Sequence, residues 1–155
     1  MHLMEADADV YGYVGIFNRP QVHGSIVPGA CGIASAGDLA RFYAMMERKG
    51  TLDGAQVFGQ DTLNEATSLR VEGVDASLGL FAQRSFGMAL GDERMGKPSG
   101  DPLNSFGHGG AGTSIGWADF DSGLAVGYIT NGYRASETNN PRLAAMSQAI
   151  RDACI

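Results

Sequence analysis

The chain has 155 residues, and its 44% apolar content is enough for the hydrophobic core of one domain. Its formal net charge of −6 and its 11 scattered Lys and Arg residues argue against nucleic-acid binding, which needs a clustered positive surface. No apolar run approaches the roughly 20 residues that span a bilayer, and the N-terminus lacks the basic and apolar regions of a secretion signal. We therefore expect no nucleic-acid partner, no membrane segment and a cytoplasmic location for the chain as given.

Cysteine and histidine are sparse and far apart in the sequence. Cys31 and Cys154 form no C-x-x-C pair, and we expect both to be small buried apolar residues. The three histidines, His2, His23 and His108, fit no metal-ligand spacing. The sequence therefore predicts no metal and no cofactor.

We expect residues 1–155 to form a single partial domain in three parts. Residues 1 to about 30 lack a hydrophobic period and are interrupted by proline and glycine, which predicts an irregular segment leading into the domain. Residues 31–80 form a helical part, and residues 84–155 hold strands and a closing C-terminal helix. This order predicts an α+β fold, an antiparallel sheet flanked by helices.

Two helices are predicted in the first half of the chain. Ser35 and Asp38 have the spacing of a capping box, and apolar residues at helical spacing then predict a helix from about Ala36 to Lys49. A shorter helix is predicted from Gln60 to Ser68, with Leu63 on its inward face.

Further along, the hydrophobic period changes to two. Ser85 to Leu90 is predicted to be a strand, and Gly91 to Leu103, rich in glycine and proline, a surface loop. Ile115–Phe120 and Leu124–Thr130 are predicted to be antiparallel neighbours, because Asp121-Ser-Gly123 between them is typical of a hairpin turn. Since the second of these strands is apolar or small on both faces, we expect it inside a sheet that is covered on both sides.

A C-terminal helix is predicted from Asn140-Pro141, an N-cap followed by proline at the first helical position. Its apolar residues fall on one face: Leu143, Met146, Ile150 and Cys154. Trp117 is expected to anchor the sheet against a helix, and Asp119 to serve the hairpin turn.

Gly112-Thr-Ser-Ile-Gly116 matches G-x-S-x-G, the nucleophile elbow of α/β-hydrolases. That elbow joins a strand to a helix and comes before the acid and the histidine of its triad. Here Ser114 leads into a predicted hairpin, and no histidine follows it. We therefore expect that Ser114 is not a nucleophile.

Three stretches, PGACGIASAGDLARFYAMMERKGTLDGAQVF, SFGMALG and FGHGGAGTSIGWADFDSGLAVGYITN, come before the closing helix. In this order and spacing they resemble the C-terminal part of the serine β-lactamase-related family: class C-type β-lactamases, penicillin-binding D,D-peptidases and related esterases. The resemblance covers about Ile26 to Ile155 and is most specific from Phe106 to Asn131. It implies the C-terminal portion of a β-lactamase/transpeptidase-like fold.

The resemblance assigns roles to four residues. His108-Gly109-Gly110 stands where penicillin-binding members have Lys-Thr-Gly, on the strand that borders the active site, and His-x-Gly is more similar to the esterase-like branches. The resemblance implies that His108 orients the substrate and assists proton transfer, and that Gly109, Gly110 and Ala111 form the oxyanion and substrate-binding wall. The Ala111 N–H would be one oxyanion donor. The departure from Lys-Thr-Gly argues against β-lactam turnover.

Two catalytic motifs of that family are absent from the sequence. No serine has a lysine three residues later, as in Ser-x-x-Lys, and no tyrosine has an asparagine two residues later, as in Tyr-x-Asn. In the family both motifs come earlier in the chain. We therefore expect a C-terminal segment of a serine hydrolase that is inactive alone, its nucleophile encoded before Met1.

The full-length form is expected to cleave a small acyl ester or amide through an acyl-serine intermediate. In the family fold, strands of the N-terminal part pair beside the strand equivalent to Leu124–Thr130, so an exposed edge here predicts self-association. The alternative is a catalytically dead ligand-binding or regulatory module of the same fold.

Overall fold

The computed structural model describes residues 15–30, 32–77, 79–96, 103–112 and 114–154. The chain divides into two compact units, Met1–Ala34 and Ser35–Ile155. In the described part of the first unit lies a four-residue helix, α1 (Pro20–His23), which begins at a proline and is followed by Gly24. None of the helices in the described ranges has the length and apolarity that crossing a membrane requires.

The second unit begins with helix α2 (Ala36–Glu47). The predicted capping box is present, since the Asp38 amide donates to Ser35 Oγ at 3.1 Å and the Ser35 amide donates to Asp38 Oδ2 at 3.2 Å. The helix ends two residues before the predicted end because Lys49 and Gly50 have positive φ values of 55° and 87°. At position 50 a Cβ would collide with the carbonyl oxygen of Phe58, so only glycine fits this close approach.

A small hairpin and a second helix follow α2. Helix α3 (Gln60–Thr67) buries Leu63, as the sequence predicted, and is one residue shorter than expected. The segment 31–80, expected to be helical, also contains strands β1 (Thr51–Leu52), β2 (Ala55–Gln56) and β3 (Val71–Val74).

Six strands form one antiparallel sheet in the order β3-β4-β5-β6-β7-β8. Its other members are β4 (Phe81–Arg84), β5 (Ala89–Leu90), β6 (Ser105–Gly109), β7 (Ser114–Asp119) and β8 (Leu124–Ile129). Helix α2 packs on one face, and the C-terminal helix α4 (Ser136–Cys154) packs on the other. This is the predicted α+β arrangement, and the predicted hairpin is confirmed as β7 and β8.

One strand prediction was wrong. Ser85–Leu90 is not one strand, because Ser85 to Met88 form a turn between β4 and β5 in which Gly87 has a φ of 81°. Strand β8 is covered on both faces, as expected, and within the described residues β7 is its one strand neighbour, so its other edge is unpaired. Its apolar residues on both faces are explained by α2 on one side and α4 on the other, which cover an edge strand from both faces.

The predicted surface loop, Gly91–Leu103, is partly buried. A 3₁₀ helix, η1 (Glu93–Met95), packs against α4, and Met95 is completely buried. Gly96 follows with a φ of 73°, where a Cβ would lie 2.6 Å from the Gln148 amide nitrogen. Residues 97–102 of this loop lie outside the described part of the chain.

Helix α4 begins at Ser136, four residues before the predicted N-cap, so Pro141 lies inside it. Because Pro141 is still in the second turn, it removes only one backbone hydrogen bond near the helix start. The buried residues recur every four positions: Asn139, Leu143, Ser147 and Arg151. Cys154 is exposed, which contradicts its predicted burial, and Cys31 lies outside the described residues.

Trp117 anchors the sheet against α4, as predicted: it is completely buried, and its Nε1 donates to Ser147 Oγ at 3.1 Å. Asp119 is more than a hairpin residue, because its buried carboxylate forms an ion pair with Nη1 of Arg151. The same guanidinium donates to the Met95 carbonyl at 2.8 Å and to Ser105 Oγ at 3.2 Å. This network joins α4, η1 and the strands that carry the candidate site.

Candidate functional site

His108 and Gly109 end strand β6, and their directions alternate across the sheet. His108 is exposed on the α2 face, the face on which Phe106 packs, and Gly109 is on the α4 face. The His108 Nδ1 atom lies 2.7 Å from the Gly109 carbonyl oxygen. Because a carbonyl only accepts hydrogen bonds, a neutral imidazole in this geometry carries its proton on Nδ1, and Nε2 is then the acceptor.

Helix α2 packs against the sheet beside this end of β6. Tyr43 is buried against Gly116, the residue paired with His108, where any Cβ would collide with the Tyr43 ring. Burial raises the pKa of Tyr43 to about 12, although a hydrogen bond with the His108 backbone opposes this rise. The phenol is therefore neutral at physiological pH and acts as a packing group under the site.

The glycines after His108 allow two side chains to approach the backbone closely. A Cβ on Gly109 would lie 2.8 Å from Nη1 of Arg94, and a Cβ on Gly110 would collide with Ser114 Oγ. Gly112 has a φ of 66°, which favours glycine. Close contacts at Gly109 and Gly110 and the positive φ at Gly112 therefore explain why glycine occupies these positions.

Ala111 is exposed, and its amide donates to no acceptor among the described residues. The preceding amide, that of Gly110, donates to the Ser114 carbonyl at 2.9 Å. The Ala111 N–H can therefore donate to the oxygen of a bound molecule, which is what an oxyanion hole requires.

A cavity of about 920 Å³ adjoins this segment. Its wall contains Gly109–Gly112, part of β4 and β5, the residues Asp92–Arg94, and the first turns of α4. Three of the four predicted site residues, Gly109, Gly110 and Ala111, thus line one cavity. The His108 ring lies on the opposite face of β6.

Asp92 and Arg94 form a charged pair inside this cavity that the sequence analysis missed. Arg94 donates from Nε to Asp92 Oδ1 at 2.8 Å and from Nη2 to Oδ2 at 2.6 Å. Burial alone would raise the pKa of Asp92, but the hydrogen bonds and charge of Arg94 outweigh it, and the pKa is lowered. The hydrogen bond to Asp92 raises the pKa of Arg94. Both groups stay ionised; the only sequence signal was an Asp-x-Arg spacing within a glycine-rich loop.

Ser114 opens strand β7 and leads into the sheet. The strand-to-helix turn of a nucleophile elbow is therefore not formed at this position. Among the residues described, no group of three or more His, Cys, Asp and Glu side chains could hold a metal ion.

The β-lactamase family model matches residues 3–149 of this chain. The chain belongs to the β-lactamase family. The esterase/β-lactamase LipL of Mycobacterium tuberculosis is 31% identical over 105 residues, which are 68% of this chain and 23% of LipL.

Solved structures of the family have the same fold. A penicillin-binding protein homologue from Caulobacter crescentus is 26% identical with a TM-score of 0.68, over 77% of this chain and 32% of that one. A family VIII carboxylesterase is 25% identical with a TM-score of 0.61, over 76% of this chain and 31% of the carboxylesterase chain. The chain therefore spans only about a quarter to a third of the length of these relatives.

Proposed function

We propose that this chain supplies the oxyanion and substrate-binding wall of a serine hydrolase that cleaves small acyl esters or amides. The observation that carries this proposal is the Ala111 amide, which donates to no acceptor among the described residues and belongs to the glycine-rich wall of a cavity. Family membership and the limited coverage of the relatives support a further point. We propose that Ser-x-x-Lys and Tyr-x-Asn belong to another part of a longer protein, and that the chain alone does not turn over substrate.

In this function the Ala111 N–H donates to the scissile carbonyl oxygen. Attack by the serine places negative charge on that oxygen, so this hydrogen bond is stronger in the transition state than in the ground state. Gly109 and Gly110 line the same cavity, and glycine is needed at both positions because a Cβ would meet Arg94 or Ser114.

The His108 ring lies on the opposite face of β6 from this cavity, so its proposed role in orienting the substrate and assisting proton transfer through Nε2 requires a substrate that extends over the end of β6. We propose esters as the preferred substrates over β-lactams. Penicillin-binding members have at this position a lysine, whose compact, fixed positive charge attracts the carboxylate of a β-lactam, and this chain lacks that lysine.

Hydrolysis of p-nitrophenyl butyrate tests the proposal. The 155-residue chain should not hydrolyse the ester and should not react with a fluorophosphonate. A longer form that contains Ser-x-x-Lys should hydrolyse the ester and should react with the fluorophosphonate. In that longer form, Ala111→Pro removes the N–H donor and should lower kcat by roughly 100-fold or more, and Ala111→Gly, which keeps the amide, should not.

Two results would contradict the proposal. The first is turnover by the chain alone that Ser114→Ala abolishes, since Ser114 would then be the nucleophile. The second is an upstream coding sequence without an in-frame Ser-x-x-Lys, combined with ligand binding and no turnover. That result would identify a catalytically dead binding module.

We also propose that the free edge of β8 is a pairing surface. Within the described residues β8 has one strand neighbour, and Ile129 at its end is 41% exposed. Unpaired strand edges associate with other chains. In the longer protein this edge would pair with other strands of the same fold, and in the chain alone with a second copy.

A further inference from the structure

We propose that Arg94 is a substrate-binding residue whose Nη1 group donates a hydrogen bond to a neutral oxygen of the ligand. The position of the scissile carbonyl rests on the function proposed above. The inference deepens that function by naming the substrate class: esters or amides with a second carbonyl a few bonds from the scissile one.

The direction of the Arg94 side chain carries this inference. Asp92 accepts from Nε and Nη2, and Nη1 donates to no acceptor among the described residues. Nη1 lies on the cavity wall, 2.8 Å from the place where Gly109 would have a Cβ. Gly109, beside which Nη1 lies, and Ala111 are two residues apart, which is a span of at most about 7 Å. The Nη1 donor and the Ala111 N–H can therefore reach two oxygens of one small molecule.

Hydrogen bonds also fix the backbone of Arg94 and Met95. The Arg94 carbonyl accepts from Ser147 Oγ at 2.8 Å, and the next carbonyl, that of Met95, accepts from Arg151 Nε at 2.8 Å. Asp92 Oδ1 accepts from the Arg94 amide at 2.9 Å. A donor whose backbone and guanidinium are both fixed loses little conformational entropy when a ligand binds.

The charges around Nη1 favour a neutral oxygen over a carboxylate. Asp92 already neutralises the guanidinium, and both groups are three-quarters buried or more. Glu93 and Glu137 also line the cavity, and together they outweigh the single positive charge of Arg84 on the same wall. A second carboxylate from a ligand would therefore meet net repulsion, whereas a ketone or amide oxygen would gain a charge-assisted hydrogen bond.

Three ligands of similar size separate these cases on the 155-residue chain: methyl 4-oxopentanoate, methyl pentanoate and monomethyl succinate. Binding can be followed by NMR from the amide shifts of Gly109, Gly110 and Ala111. The ketone should bind about tenfold more tightly than the pentanoate, since a hydrogen bond to a charged group contributes a factor of this order. The succinate should bind no better than the pentanoate.

Variants assign the effect to Arg94. Arg94→Met should abolish the preference for the ketone, and Arg41→Met, which removes an exposed arginine on α2, should not. Asp92→Asn should shift the preference toward monomethyl succinate, because the guanidinium is then uncompensated. Circular dichroism checks that each variant is folded.

Equal affinities for ketone and pentanoate, or no binding of either, would overturn the inference, as would loss of the preference in Arg84→Met but not in Arg94→Met. These measurements need no nucleophile. If no longer form hydrolyses esters, the proposed function fails while the ketone preference can still hold.

Discussion

Asp119→Asn should destabilise the protein more than the loss of an exposed ion pair. The substitution keeps size and shape but removes the negative charge opposite Arg151. The Asp119 residue is 0% exposed and Arg151 is 6% exposed, so the remaining guanidinium cannot be solvated by water. Breaking a buried pair from one side costs about 3–5 kcal/mol.

A loss of this size is large for a single domain. Domains of this length have unfolding free energies of roughly 5–15 kcal/mol, and each kcal/mol shifts Tm by about 2–4 °C. We therefore expect Tm to fall by roughly 10 °C. Thermal unfolding measures this Tm, and urea unfolding measures the change in free energy. Fluorescence can follow both, because the single tryptophan, Trp117, is completely buried with its ring 4.5 Å from the Arg151 guanidinium carbon.

The chain offers a matched control in the pair Arg41–Asp53, whose side chains are 57% and 67% exposed. Asp53→Asn should cost less than about 1 kcal/mol, and asparagine tolerates the positive φ of 50° at this position. Adding Arg151→Met to Asp119→Asn should recover part of the loss, since the unpaired charge is then gone. An Asp119→Asn variant no less stable than the control would refute the reasoning.

Three further predictions follow from packing, titration and the sheet edge. Gly127→Ala should cost about 1–3 kcal/mol in urea unfolding, because its Cβ would collide with the backbone of α2, whereas Gly132→Ala, with open space around it, should be neutral. Between pH 10 and 12 the unfolded chain releases a tyrosine proton that folded Tyr43 retains, so stability falls by up to about 3 kcal/mol. Tyr43→Phe should remove this part of the alkaline slope. By light scattering the chain should dimerise as its concentration rises, and Ile129→Lys should weaken this association.

Each of these has a contradicting result. Equal stability of the two glycine variants would mean that α2 does not pack on β8 as closely as the structure has it. An unchanged alkaline slope in Tyr43→Phe would assign the titration to another group. A monodisperse, stable monomer at all concentrations would count against the pairing role of the β8 edge.

The sequence alone determined the features whose signals are local. The capping box at Ser35 starts α2, and the Asp121–Gly123 turn joins the hairpin, because each depends on residues within a few positions of one another. The apolar pattern likewise predicted the burial of Trp117 and Leu63. The three stretches that precede the closing helix, in their order and spacing, were enough to identify the family, and the order of predicted elements was enough to predict the antiparallel sheet.

Local signals failed where distant elements meet. The Ser85–Leu90 pattern concealed a turn, and the burial of Met95 depends on contact with α4, some 50 positions later in the chain. From its local sequence, Asp119 is predicted only as a turn residue. Its ion pair with Arg151 forms because the fold brings a residue from the far end of the sequence beside it.

The candidate site divides in the same way. The substrate-binding role of the glycines after His108 stays a prediction. That Gly109, Gly110 and Ala111 lie together on one cavity wall could be predicted, because they are consecutive in the chain. The Arg94 donor could not, because it depends on Asp92, Gly109 and Ser147 meeting across three separate elements. The tertiary structure alone decided that the Asp92–Arg94 pair shares a cavity with Gly109, Gly110 and Ala111, since only packing fixes where a long flexible side chain points.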